Sequence, residues 1–254
     1  MSDRDVKLEA LSILCNATVT SLQSQSVVVG ASAGNFLSST MTIPGFISAL
    51  MGRAGPNLLS AARSPQSRGG CIIIDEEEFF DPEYDYDFTD LQDTETFYRG
   101  GEVYERPCGW KRYALKVLDK YPDGNAWLGE RGHCTTTESK PGEWPVSYHG
   151  TSKIGARGII VSRYVPGAGQ DYGRGIYSTP FISEAEPYTK TFTSTSTGSR
   201  YHVVLQNRVN PKYREKYNDD KYWLVPLSDS LSKEEEQDIV DKAIRPYALL
   251  VRRL

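Results

Sequence analysis

The stretches that decide the reading are WPVSYHGTS at residues 144–152 and YGRGIYSTPFISEAEPY at residues 172–188. In the first, the apolar and aromatic residues Trp144, Val146 and Tyr148 alternate as in a half-buried strand and run into His149, Gly150 and Thr151. A helix is expected from Lys153 to Tyr164, with Thr151 or Ser152 as its N-cap. His149 thereby falls at a strand end beside a helix start. Gly150 lacks a Cβ, so a flat ligand can lie against its backbone and use its N–H and C=O.

In the second stretch, Gly173 and Gly175 predict a tight turn into a short strand, Ile176 to Ser178. Ser183 and Glu186 read as an S-x-x-E capping box for a further helix, with Pro187 tolerated in the first turn. Tyr188 then follows Tyr177 by eleven residues. That spacing allows two aromatic rings to face one another across a slot.

Working outward, strands are expected in YHVVLQNRVNP (Tyr201 to Pro211), KYWLVP (Lys221 to Pro226) and YALLVRR (Tyr247 to Arg253). Upstream, CGWKRYALKVLDKY places Trp110, Tyr113, Leu115 and Val117 among basic residues as another half-buried strand. Pro122, Asp123 and Gly124 supply the turn after it. SKEEEQD, from Ser232 to Asp238, reads as a solvated loop or helix face.

The order HGT, GRGIYSTP, Tyr188, in these strand and helix contexts, resembles the catalytic domain of poly(ADP-ribose) polymerase-like ADP-ribosyltransferases over about 110 residues. The resemblance implies an α+β fold, a split antiparallel β core with flanking helices. It also implies NAD+ as the substrate, with His149, Gly150, Thr151, Tyr177 and Tyr188 binding it. His149 would hydrogen-bond the adenosine ribose, the Gly150 backbone would hold the carboxamide, and the two tyrosines would sandwich the nicotinamide ring. His149, Tyr177 and the residue at position 221 would be the catalytic positions. The family's third position is a carboxylate that stabilises positive charge developing on the ribose. Lys221 stands there instead, so Asp219, Asp220 and Glu215 are the acids to consider. Ala185 stands where the family often has a serine.

The function implied is transfer of single ADP-ribose units from NAD+ to a protein or nucleic-acid acceptor. The alternatives are a catalytically silent NAD+ or ADP-ribose-binding module, which Lys221 favours, and an enzyme similar to RNA 2′-phosphotransferases.

The remaining sequence reads as follows. Between Cys71 and Thr96 there are eleven Asp and Glu and no Lys or Arg, so the rest of this −4 chain carries +7. Residues 71–97 are therefore expected to be an acidic aromatic linker, and residues 75–95 to offer themselves to a basic partner. Residues 1–70 mix Ser, Ala and Gly without sustained period and are expected to be largely disordered, with one short amphipathic helix around Leu8 to Cys15. Folded sequence is expected over 98–254. The scattered cysteines show no metal or disulfide framework, and Cys108, His133 and Cys134 lack a fourth ligand. Neither a secretory signal nor a membrane span is indicated, which predicts an intracellular chain, cytoplasmic or nuclear.

Overall fold

A computed structural model of the chain describes residues 3–25, 40–50, 71–130, 135–150 and 172–254. It belongs to the α+β class, with sheets that are mostly antiparallel. At its centre lie two ten-residue strands, β10 (Arg200–Val209) and β13 (Ile244–Arg253). They pair antiparallel from Tyr201↔Arg253 to Val209↔Ile244, with an irregularity at Gln206/Asn207. Nearly every residue of β13, and β10 from Val203 onward, is buried, as expected of strands covered on both faces.

Outward from β13 lie β6 (Lys111–Ala114) and β3 (Tyr86–Asp87). On the other side, β10 pairs along its second half with β7 (Val146–His149) and along its first half with β9 (Lys190–Thr193). A second sheet has the order β11 (Glu215–Tyr217), β12 (Tyr222–Pro226), β8 (Gly175–Ser178). An antiparallel bridge between Tyr148 and Thr179, with backbone bonds of 2.7 and 3.0 Å, joins the two sheets. Helix Lys233–Ala243 leads into β13 and is capped by Ser232, whose reciprocal bond with Glu235 completes a capping box. A separate hairpin joins β4 (Phe97–Arg99) to β5 (Glu102–Tyr104).

Three expectations need correction. Within 1–70, residues 3–25 and 40–50 are not disordered, and the short helix expected around Leu8 to Cys15 extends back to Asp3. Helix Asp3–Cys15 packs on β9 and β13 and buries Val6, Ala10, Leu11 and Leu14. It is followed by β1 (Thr18–Ser21), which pairs in parallel with β2 (Cys71–Ile74), and Phe46 of helix Ile43–Leu50 joins the same hydrophobic core. Nor are residues 71–97 a linker. Phe79, Phe80 and Phe88 are buried, and Phe46, Phe79 and Phe80 meet edge to face.

Part of the acidic charge of that stretch is met from within the chain. Glu76 pairs with Arg4 and Lys7, Glu78 with Lys116 and Lys120, and Asp93 with Arg106. The repulsion that would keep such a run extended is thereby offset. Finally, the box expected from Ser183 and Glu186 does not form. Helix Ile182–Ala185 has Phe181 at its N-cap without a side-chain bond, and Glu186 instead pairs with Arg252.

Candidate functional site: the seam between the two sheets

β7 ends at the edge of the large sheet and β8 lies at the edge of the small one, so the Tyr148/Thr179 bridge leaves the next residues facing across a seam. His149 is buried there, and its Nδ1 donates to the Tyr177 carbonyl at 2.6 Å. Because a carbonyl can only accept, Nδ1 carries the proton. Burial pushes the imidazole pKa down to about 4, against the smaller opposing effect of that hydrogen bond. His149 is therefore neutral near pH 7, and its Nε2 presents an acceptor lone pair suited to a hydroxyl.

Gly150 is needed for packing at this end of β7. A Cβ there would stand 2.6 Å from the Tyr188 Cβ and 2.7 Å from the Tyr188 carbonyl oxygen. Glycine lets the 3₁₀ turn Glu186–Tyr188 close onto the strand end. Tyr177 is buried against Leu224, its partner in the β8–β12 register, with Tyr172, Tyr188 and Tyr217 packed around the pair. The Tyr177 hydroxyl donates to the Gly173 carbonyl at 2.8 Å and accepts from the Tyr172 N–H at 3.2 Å. Tyr172 in turn stacks on Tyr217, with centroids 4.4 Å apart. The seam thus brings His149, Gly150, Tyr177 and Tyr188 together, lined by further tyrosines. Thr151 and the helix expected over 153–164 lie outside the described residues.

Lys221 stands immediately before β12, and its Nζ lies 3.2 Å from Glu184 Oε1. Tyr222, beside it, has its hydroxyl pKa raised by burial first and then by the fields of Tyr188 and Glu184, which places those groups near one another. Of the acids considered from sequence, Asp220 and Glu215 have bonding partners of their own and Asp219 sits in a turn. Asn218, Asp219 and Asp220 form a turn with three successive positive φ angles, Asp220 pairs with Lys216, and Glu215 accepts from the Tyr217 hydroxyl at 2.5 Å.

One carboxylate near the seam is Glu184, on the short helix Ile182–Ala185 and paired with Lys221. Glu105 is a second. It is half-buried, accepts from the backbone of Ile182 and Ser183, and has its pKa raised by burial, with a small contribution from Glu184. Neither carried a signal, because both depend on a short helix meeting strands distant in sequence. Ala185 is buried and presents no hydroxyl. Arg174 of the GRGIY stretch serves packing, bridging Asp229 and Glu236 and bonding the Ser228 carbonyl.

Cys15 and Cys108 are both partly exposed, and among the described residues no group of His, Cys, Asp and Glu is placed to hold a metal. His133 and Cys134 lie outside the described residues. No described helix is long and apolar enough to cross a membrane. No protein-family model matches the chain, and no curated protein matches it.

Proposed function

We propose that the chain binds NAD+ at this seam and transfers single ADP-ribose units to a protein or nucleic-acid acceptor, within an ADP-ribosyltransferase-like split β core. The observation that carries the reading is the convergence of the motif residues across two sheets. His149 reaches Tyr177 while the Gly150 backbone meets Tyr188. A neutral imidazole offering an acceptor suits a ribose hydroxyl, and the cluster of tyrosine rings suits a flat cationic one.

Glu184 supplies the carboxylate in this proposal. Its pairing with Lys221 offsets the ammonium that would otherwise oppose positive charge developing on the ribose. Both side chains are partly exposed, so solvent screens the pair and its worth to folding is small. The second reading, a silent NAD+-binding module, is favoured by the same Lys221, which holds Glu184 neutralised.

Incubation of the chain with NAD+ labelled in the adenylate part separates these readings. Transfer leaves covalent label on protein or nucleic acid, and Glu184→Gln is expected to slow NAD+ cleavage at least tenfold, about 1.4 kcal/mol of barrier, with NAD+ affinity kept. Binding without cleavage supports the silent module. Cleavage by Glu184→Gln at the parental rate assigns the carboxylate elsewhere.

A further inference from the structure

We propose that Arg252 and His202 are positioning residues for the seam. Acting through Glu186 and Thr189, they hold the turn that carries Tyr188 and so set where its ring meets the nicotinamide. The assignment rests on the reading of the seam as the NAD+ site.

His202 on β10 and Arg252 on β13 are cross-strand partners, so their side chains leave the central sheet on one face. Against them stands the 3₁₀ turn Glu186–Tyr188, which passes through Thr189 into β9. In such a turn residues three apart lie one above the other, so Glu186 and Thr189 come to the same side. Tyr188, between them, is turned instead onto Tyr177 and Leu224.

Both ends of the turn are tied to the His202 and Arg252 pair. Arg252 donates from its two terminal nitrogens to the two Glu186 carboxylate oxygens, with Nη1 to Oε2 at 3.0 Å. Those bonds hold the Glu186 carboxyl below its ordinary pKa, so the pair stays ionised near pH 7. The Arg252 guanidinium also lies 4.8 Å from the centroid of the buried Trp110 ring, which restricts its plane. At the other end, the Thr189 hydroxyl and His202 Nδ1 are hydrogen-bonded at 3.0 Å. The Thr189 N–H closes the turn on the Glu186 carbonyl at 3.1 Å, and Pro187 fixes one of its φ angles.

Arg252 and Glu186 are both partly exposed, so solvent screens the pair and it adds little to global stability. What a two-bond fork supplies is direction. Without it the turn keeps only its Thr189 tie to the central sheet, and the Tyr188 ring is no longer confined to one place beside Tyr177.

The test replaces Tyr188 by 3-fluorotyrosine in the full chain and follows its fluorine resonance without NAD+. Calorimetry gives the NAD+ affinity of the same variants with the ordinary tyrosine. Arg252→Gln and Thr189→Val are each expected to move the resonance toward its position in the urea-unfolded chain and to weaken NAD+ binding. The larger loss, at least about fivefold, is expected for Arg252→Gln, which gives up the fork. Arg252→Lys keeps the charge without the fork and should fall between that variant and the parent. Thr189→Ser keeps the hydroxyl and should restore both readouts, a rescue that general loosening of the fold would not produce.

A resonance unmoved in both Arg252→Gln and Thr189→Val overturns the assignment, as does a moved resonance with parental NAD+ affinity, or no rescue by Thr189→Ser. If Arg252→Gln does not fold, the two Thr189 variants decide. A parent that binds no NAD+ contradicts the seam as the dinucleotide site instead, and the fluorine resonance still decides whether Arg252 and His202 position Tyr188.

Discussion

The seam and the N-terminal helix are held together by opposite kinds of information. At the seam, the decisive residues sit in two short runs, and each run sets its own local geometry. Gly173 and Gly175 turn the chain into β8, and Gly150 admits Tyr188 at the end of β7. The N-terminal helix depends on contacts with residues far along the chain. Arg4 binds Glu76, Asp3 binds Lys111, Lys190 donates to the Ile13 carbonyl at 2.7 Å, and Glu9 accepts from the Thr195 N–H at 2.8 Å. A local reading sees the first kind of order and misses the second.

The largest expected effect follows from that contrast. Removing residues 1–93 deletes Val6, Leu11, Leu14, Phe79 and Phe80 from the core, each buried. At about 1.5–3 kcal/mol for each large apolar side chain, the loss rivals the whole stability of a typical domain. Chemical denaturation of the shortened chain is therefore expected to show no cooperative transition. A transition close to that of the full chain would return the arm to the status of a dispensable appendage.

A smaller change sharpens the same point. Leu14→Ala should cost about 2–5 kcal/mol, whereas Leu8→Ala, at a partly buried position beside the core, should cost well under half as much. Urea unfolding of the two variants measures the difference. Equal, small costs would mean that the helix does not dock through the Val6, Ala10, Leu14 stripe.

That stripe shows why the docking of the arm was illegible, although a short helix around Leu8 to Cys15 was expected. Its i, i+4, i+8 spacing begins among Asp3, Arg4, Asp5 and Lys7, charges that suggest solvent until their distant partners are known. The parallel β1–β2 pair likewise joins strands about fifty residues apart, a pairing that no hairpin signal announces. By contrast β7, β8, β10, β12 and β13 were legible because their apolar residues and bounding Gly, Pro and His lie within each segment. The candidate site was legible to the same extent, as far as its aromatic and histidine positions. The carboxylate proposed for it was not, since Glu184, on a short helix, gains meaning only from Lys221, which stands before β12.

His149 offers a test confined to the seam. Its pKa is depressed to about 4 in the folded chain against an ordinary value of 6.5, so the unfolded chain takes up the proton first as pH falls. The stability this residue contributes is present above pH 6.5 and lost progressively toward pH 4, by on the order of 3 kcal/mol. Asp85, Glu105 and Asp241, whose pKa values are raised, act with the opposite sign as they protonate. The readout is accordingly the difference between the parent and His149→Gln across that interval. Parallel pH profiles for the two proteins would show that the imidazole is not held neutral in the seam.

Calorimetric titration of NAD+ into the parent, His149→Ala and Tyr188→Ala tests the central claim most directly. The parent is expected to bind, and each substitution to weaken binding by about 1–3 kcal/mol, the usual cost of a lost ligand hydrogen bond or aromatic contact. A parent that takes up no NAD+, or variants that bind it as the parent does, would contradict the assignment of the seam as the dinucleotide site.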